Sequence, residues 1–252
     1  FSPHPLVSAR ILTRDVDHTI NVEFIALRLS RALALREENA LRAAFSTVMA
    51  GGQVAVYPMY ASNRRHERRA DVLEMLKSSY RVQTIIDYSG LEPDGIFLEG
   101  TGAMVLDHIS RVAYTAVSSR ADTNVLERFC TDFRYEPMAF EALDSGGVPV
   151  YHTNVIACIG TDVALVALGM IPDEQRRQEV RERLSVNGRR VVEITEEQVR
   201  QFAGNAVELC GRRPDGSKRY VMAMSGSARR SLRPDQVAAI EELHMPMPAA
   251  KA

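Results

Sequence analysis

An acid, a base and a glycine-rich turn occur together in one stretch of the chain, Phe97 to Gly160, which also contains strand-like apolar runs. Glu99 lies in a Glu-Gly-Thr-Gly turn, Arg120 follows a Ser-Ser pair, and His152 stands between an aromatic residue and a polar pair. A carboxylate and an imidazole can carry out general acid–base chemistry if the fold brings them within hydrogen-bond reach. This stretch is therefore the candidate site.

The three cysteines do not stand where such a site would need a nucleophile. Cys130 falls on a predicted helix, Cys158 in a predicted strand, and Cys210 near a turn before the next-to-last strand. None follows a glycine-rich loop, and all three are typical of buried structural thiols. Their odd number and wide spacing fit neither a disulfide framework nor a zinc site, and they indicate a reducing compartment or a mitochondrion. We expect no metal and no cofactor.

Charge and hydropathy exclude several classes of partner. The 252 residues include 31 basic and 32 acidic side chains, which gives a net charge of −1 and no electrostatic case for direct nucleic-acid binding. The longest apolar run, Val163 to Ile171, is too short to span a bilayer, so we expect no transmembrane segment. The length suits one large domain or two small ones.

The predicted elements follow one another as strand–strand–helix–strand modules. This alternation favours an α/β fold, and the antiparallel hairpins within the modules argue against a plain doubly wound sheet. Neither a dinucleotide-binding glycine motif nor a P-loop occurs. The helix ends with a sequence signal are Asn63 and Asp122 as N-caps and a capping box that begins at Thr195. Helical spacing also predicts a long helix over residues 21–44.

A basic run precedes the site in sequence and consists of Arg64, Arg65, Arg68 and Arg69. Such a run can bind phosphate or a protein partner. It can equally be a solvated helix face, in which Glu67 and Asp71 pair locally with the arginines.

Four segments together resemble the pentein superfamily: GGQVAVYPMYASNRRHERR, LEGTGAMVLDHISRVAYTAVSSRAD, PVYHTNV and MAMSGSARRSL. They are most similar to the amidinotransferase-like branch related to citrulline hydrolases, arginine deiminases and dimethylarginine hydrolases. The resemblance implies an α/β propeller of about five ββαβ modules around a central site, with the first and last modules degenerate or incomplete. It divides the chain into a divergent N-terminal segment with a long helix (1–48), a pentein domain (49–243) and an irregular tail (244–252).

The resemblance also implies a chemistry. In active pentein enzymes a cysteine thiolate attacks a guanidino or ureido carbon, a histidine acts as acid and base, and a carboxylate holds the cationic group. His152 matches the catalytic histidine and Glu99 lies in the family's Glu-Gly turn, so both are expected catalytic residues. Arg120, from the Ser-x-Arg segment, and Asn154, in the polar partner position, are expected to bind substrate. Alternatively, Glu99 bonds its own glycine turn, Arg120 is an internal ion-pair partner, and His152 is a satisfied core histidine.

Two departures from the family pattern affect function. Active relatives carry their cysteine in a glycine-rich segment near the C-terminus, whereas this chain has MPMPAAKA there. A substrate-binding segment before Phe45 is replaced by Leu41-Arg42-Ala43-Ala44. Losing the nucleophile would make the acid and base vestigial.

We therefore expect a catalytically inactive protein that serves as an accessory subunit of a larger assembly with protein partners. The start at Phe1, followed by basic residues before the first acid, resembles the end of a removed targeting peptide or a trimmed start. It favours a mitochondrial location, with the cytoplasm as the alternative. The competing hypothesis is a cysteine-dependent hydrolase of citrulline, arginine or methylarginine, whose nucleophile lies beyond residue 252 and which alone would bind a small guanidino ligand. A small-molecule sensor using the old pocket is a third option.

Overall fold

The computed structural model describes residues 47–50, 52–79, 81–212 and 218–243, which form a mixed α/β structure. The predicted helix over residues 21–44 and the tail at 244–252 lie outside these residues. The strands and helices of the first unit are β1 (Thr47–Ala50), β2 (Gln53–Val56), α1 (Ala70–Ser79) and β3 (Thr84–Asp87). The second unit contains α2 (Gly100–Ala103), β4 (Met104–Asp107), β5 (Val112–Ala116), α3 (Thr123–Phe133) and β6 (Glu136–Phe140).

The third unit contains β7 (Ala157–Ile159), β8 (Val163–Val166), α4 (Glu174–Leu184) and β9 (Arg190–Glu193). The remaining elements are α5 (Glu196–Arg200), β10 (Val207–Arg212), β11 (Lys218–Ala223), α6 (Gly226–Ser231) and α7 (Pro234–Glu241). Short 3₁₀ helices span Ser62–Glu67, Ser89–Asp94, Thr153–Val155, Leu168–Met170 and Val186–Gly188.

Each of the first three units has the same sheet topology. Its first two strands form an antiparallel hairpin, and a helical crossover returns the chain to a third strand parallel to the second. Two parallel neighbouring strands need such a crossover because they run in the same direction. The chain must first return to the end of the sheet at which the previous strand began. The prediction of a modular α/β fold with internal hairpins is thereby confirmed. β10 and β11 form a further antiparallel pair.

The helix-capping predictions had mixed outcomes. Asp122 caps α3 by accepting from the backbone of Asn124 and Val125, and the capping box at Thr195 is present, as predicted. The predicted N-cap at Asn63 is wrong. The chain forms a 3₁₀ helix over Ser62–Glu67, becomes extended at Arg68, and starts α1 only at Ala70. Arginines of the 3₁₀ segment reach carboxylates elsewhere in the fold, and this tertiary pairing overrides a continuous helix.

Two large clusters of buried apolar side chains form most of the described core. One lies around β5, β6 and β8 and the other beneath α3, where Phe129 and Phe133 stack at 4.7 Å between ring centroids. A buried ion pair joins the second and third units, with Arg189 Nη1 2.6 Å from Asp107 Oδ2. None of the described helices is both long and apolar enough to cross a membrane.

Candidate active site

A short antiparallel contact between two loops positions the acid of the site. Leu98 bridges Ala121, and the backbone N–H of Glu99 donates to the carbonyl oxygen of Arg120 at 3.0 Å. A tight turn between Ser118 and Ala121 closes the second loop. The backbone therefore brings Arg120 beside Glu99, although the two are 21 residues apart in sequence.

The two glycines of the Glu-Gly-Thr-Gly turn have separate structural roles. Gly100 adopts φ = 57°, a left-handed conformation that glycine accepts without a steric penalty. At Gly102, an added Cβ would lie 2.9 Å from Nδ1 of His152, closer than van der Waals contact allows. The first glycine thus lets the chain turn into α2, and the second admits the imidazole ring.

His152 is anchored by hydrogen bonds of the residues on either side of it. The carbonyl oxygen of Tyr151 accepts from the Ser118 hydroxyl at 2.9 Å. The Thr153 hydroxyl accepts from the backbone N–H of Ala116 at 2.7 Å and donates to the carbonyl of Ala103. His152 has extended backbone angles and precedes the 3₁₀ turn Thr153–Val155. These anchors fix the imidazole between α2 and the end of β5.

Glu99 is the centre of the site, with only 1% of its surface exposed. Its Oε2 atom lies 2.7 Å from His152 Nε2, 2.6 Å from Arg64 Nη1 and 3.4 Å from Arg120 Nη1. Its Oε1 atom accepts from the backbone N–H of Tyr60 at 3.0 Å. The structure therefore brings together three of the four predicted site residues, and it adds Arg64. The alternative in which the Glu99 side chain caps its own turn is wrong, because it makes no cap bond to α2.

The surroundings of Glu99 keep its carboxyl group ionised. Burial raises the pKa of this group, but the hydrogen bond from His152 and the charges of Arg64, His152 and Arg120 outweigh burial and lower the pKa to about 2. An ionised carboxylate only accepts hydrogen bonds, so Nε2 of His152 must carry the proton that it shares with Glu99. In the neutral imidazole the acceptor nitrogen is then Nδ1, which faces Gly102.

Arg64 is the site residue that sequence reasoning missed. Its Nε and Nη2 atoms donate to the two carboxylate oxygens of Glu67, each at 3.2 Å, while Nη1 donates to Glu99. The three-residue spacing of Arg64 and Glu67 predicted their local pair, which was one of the two interpretations of the basic run. Nothing in the sequence indicated the partner 35 residues away.

The rest of the basic run is also paired. The guanidinium groups of Arg65 and Arg68 both contact the Glu92 carboxylate, at 3.2 Å for Arg65, and Arg69 pairs with Asp71. Glu92 additionally accepts from the backbone N–H of Met59 at 2.7 Å. The run is therefore an internal ion-pair network more than a solvated helix face.

Two exposed tyrosines flank Arg120 at the surface. The Arg120 guanidinium carbon lies 5.2 Å from the ring centroid of Tyr151 and 5.7 Å from that of Tyr60, within cation–π range. Tyr60 and Tyr151 are 46% and 48% exposed. The prediction that Arg120 is an internal ion-pair partner is confirmed by its contact with Glu99, and its role in substrate binding stays a prediction.

Asn154 and the cysteines lie apart from these contacts. Asn154 is half-buried in the Thr153–Val155 turn, where its side chain finds no hydrogen-bond partner among the described residues. Cys130 and Cys158 are buried thiols, as predicted, and the side chain of Cys210 lies outside the described part of the chain. Burial, followed by the charge of Glu127, raises the pKa of Cys130 to about 12, which leaves it un-ionised at neutral pH.

No described group of three or more His, Cys, Asp or Glu side chains is arranged to hold a metal ion. What the arrangement offers chemically is a buried carboxylate–imidazole pair with guanidinium groups around it.

One family model and several solved structures match this chain. A family model described as eukaryotic N,N dimethylarginine dimethylhydrolase matches residues 30–249. The substrate-bound N-terminal domain of ArgZ, an arginine dihydrolase from the ornithine-ammonia cycle in cyanobacteria, superposes with a TM-score of 0.56 at 16% identity. That match covers 82% of this chain and 69% of the domain. A search of curated proteins gives no match.

Longer relatives contain the same fold as a part. The apo structure of ArgZ from cyanobacteria matches with a TM-score of 0.53 and 15% identity over 70% of this chain, which spans only 26% of that protein. The complex of AgrE with ornithine and NAD⁺ matches with a TM-score of 0.54 and 18% identity over 68% of this chain and 23% of AgrE. Identities this low show a shared fold alone.

Proposed function

Because the chain belongs to the eukaryotic N,N-dimethylarginine dimethylhydrolase family of the pentein superfamily, we propose that it is a catalytically inactive member that serves as an accessory subunit of a larger protein assembly. We further propose that its ββαβ units are part of a propeller of about five such modules around the Glu99 site. The family membership agrees with the resemblance found in the sequence.

The proposal rests on the contacts that the two ring nitrogens of His152 make within the protein. A histidine that serves as acid and base needs one ring nitrogen directed at the reacting groups. Here Nε2 is bonded to Glu99 at 2.7 Å, and Nδ1 faces Gly102 so closely that no Cβ would fit between them. Nε2 is thus already bonded within the protein and Nδ1 lies against Gly102, which supports a structural role for the imidazole.

The cysteines support the same conclusion. The family's reaction needs a thiolate beside the histidine, and thiolates form at neutral pH only where the thiol pKa is lowered. Cys130 packs in the apolar cluster beneath α3 with a raised pKa, and Cys158 lies in β7 at 3.8 Å from the Met222 sulfur. Within the described residues, neither thiol hydrogen-bonds to His152 or Glu99.

The exposed surface of the site suits a protein partner. Tyrosine and arginine are the side chains most enriched at interface hot spots. The exposed Tyr60 and Tyr151 flank the half-buried Arg120, which contacts the buried Glu99. A subunit that has lost catalysis but remains part of an assembly is expected to keep a surface that binds its partner.

We also propose a mitochondrial location, on the basis of the basic residues that precede Asp15.

One observation favours a second candidate, a cysteine-dependent hydrolase of citrulline, arginine or methylarginine. The short, buried hydrogen bond between Glu99 and His152 is the geometry of an acid–base pair. In that case a thiolate outside the described residues would attack the guanidino carbon, His152 would protonate the leaving amine, and Arg120 and Asn154 would bind the substrate. Arg64 would first have to leave Glu99.

A turnover assay decides between the two candidates. The full-length protein is incubated with arginine, citrulline and asymmetric dimethylarginine, and release of ammonia, urea and dimethylamine is measured beside the His152→Ala variant. The inactive-subunit proposal predicts equal background release from both proteins, together with co-purification of the native protein in a stable particle and its recovery with mitochondria. Turnover that disappears in His152→Ala would establish the hydrolase.

A further inference from the structure

The guanidinium group of Arg64 lies between two carboxylates that have little contact with solvent. The Glu99 and Glu67 side chains are only 0% and 10% exposed, and Arg64 donates to both through three of its nitrogen atoms. Two carboxylates around one planar cation satisfy the fork of N–H donors on a guanidinium, which a point-charge ammonium would not do. The contact with Glu99, at 2.6 Å, is tighter than the 3.4 Å contact that Arg120 makes with the same oxygen.

We propose that this pair of carboxylates is a guanidinium-binding site that the chain fills with its own Arg64, so that Arg64 acts as an internal ligand and keeps free guanidino compounds out. Displacing Arg64 would open a site for a small monosubstituted guanidinium. The inference rests on the proposed function, because a site filled from within the chain is one reason for a family member to be inactive.

The surrounding contacts keep Arg64 in this position. The backbone N–H of Tyr60 donates to the other oxygen of Glu99, which ties the start of the Arg64 segment to the same carboxylate. Arg65 and Arg68, which both follow Arg64 in sequence, are bound to Glu92 instead. The segment is thus held at three points, and only the guanidinium of Arg64 enters the Glu99 site.

Removing the Arg64 side chain leaves the other guanidinium of the site in place. Arg120 is 29% exposed and lies between two tyrosine rings, so it neutralises part of the Glu99 charge without filling the space beside Glu67. In an Arg64→Ala protein, the space left by the guanidinium would therefore still be lined by two carboxylates. Arg120 offsets only one of their two negative charges, so one further cation is needed for neutrality.

Chemical rescue tests the proposal. Methylguanidinium is titrated into the native protein and into Arg64→Ala, and binding is measured by calorimetry and by the shift in Tm. We expect Arg64→Ala to bind it with millimolar affinity and a rise in Tm, and the native protein to bind at least roughly tenfold more weakly. Ethylammonium, which has the charge without the planar fork, should bind more weakly to the variant.

Two controls make the result specific. Arg65→Ala removes an arginine from the same 3₁₀ helix but leaves Glu92 bound to Arg68, so it should not gain methylguanidinium binding. Arg64→Ala combined with Glu99→Gln should lose it. Should Arg64→Ala be unfolded at the assay temperature, methylguanidinium is expected to restore its folding, which circular dichroism would show.

The proposal is overturned if Arg64→Ala binds methylguanidinium no better than Arg65→Ala does, or if an unfolded Arg64→Ala is not rescued. Either result would leave the inactive-subunit proposal unaffected, because the experiment tests only which group occupies the space between the Glu67 and Glu99 carboxylates. Turnover of a guanidino substrate by the native protein would instead remove the inactive-subunit proposal, and it would also show that Arg64 does not keep such compounds out.

Discussion

Replacing Glu99 by glutamine removes the one charge on which two arginines and His152 converge. The pKa of Glu99 falls from an ordinary 4.5 to about 2 in the folded protein. One pKa unit corresponds to about 1.4 kcal/mol, so ionisation of this buried carboxyl stabilises the folded state by about 3 kcal/mol at neutral pH. Glu99→Gln keeps the shape of the side chain, and its free energy of unfolding at pH 7 should be lower than that of the native protein by about this amount.

The pH dependence follows from the sign of the shift. Because the folded pKa is lowered, the stabilisation is fully present above 4.5 and is lost as the pH falls towards 2. By pH 3, about 2 kcal/mol of it should be gone, since the unfolded chain has taken up the proton and the folded chain has not. The native protein should lose this stability between pH 5 and about 2, and Glu99→Gln should not.

Urea denaturation followed by circular dichroism, repeated from pH 7 to pH 3, measures the difference between the two proteins. Other carboxylates also titrate in this range, so the difference is the informative quantity. The matched control is Glu179→Gln, which removes a partly exposed glutamate paired with Arg176 at the surface and should change stability by less than about 0.5 kcal/mol at every pH. A native-minus-Glu99→Gln difference that stays constant from pH 7 to pH 3 would refute the reasoning.

Three further predictions concern the surroundings of the site. Arg189→Met leaves the buried Asp107 carboxylate without its ion pair and should lower the free energy of unfolding by about 3 kcal/mol or more; a loss below about 1 kcal/mol in urea denaturation would contradict this. Gly102→Ala would place a Cβ against the His152 imidazole and should lower the free energy of unfolding by about 1–3 kcal/mol. Gly90→Ala is the control and should cost less, because its added Cβ meets no atom within 4 Å. Equal losses of stability in the two variants would show that the imidazole does not require a glycine at position 102. Cys130 should react with a thiol reagent at pH 8 only after unfolding, as peptide mass spectrometry would show, and rapid native labelling would contradict its burial.

The sequence predicted much of the local structure because that structure depends on near neighbours. The hairpin of β4 and β5 and the caps at Asp122 and Thr195 follow from alternation and from side chains two or three residues away. The prediction of a helix that starts at Asn63 was wrong for the opposite reason, because the structure there depends on residues far away in sequence. Its arginines gain more from carboxylates far along the chain than from a continuous helix, and propensity does not report such partners.

The candidate site was predicted in part. The resemblance to the pentein superfamily singled out Glu99 and His152 as the expected acid and base, and the structure joins them at 2.7 Å. Arg64 was beyond prediction because its pairing with Glu99 spans 35 residues and depends on where the 3₁₀ segment packs. The buried pair of Asp107 and Arg189, 82 residues apart, was missed for the same reason.

The central claim is that Glu99 is already satisfied by the protein's own side chains, and ligand titration tests it most directly. Asymmetric dimethylarginine is titrated into the native protein by isothermal calorimetry, with Glu99→Gln as the reference. We predict no saturable heat from the native protein, because Arg64, Arg120 and His152 already occupy the carboxylate, and none from Glu99→Gln, which lacks the carboxylate. Saturable binding to the native protein that is absent from Glu99→Gln would contradict the claim and show that the carboxylate remains open to substrate.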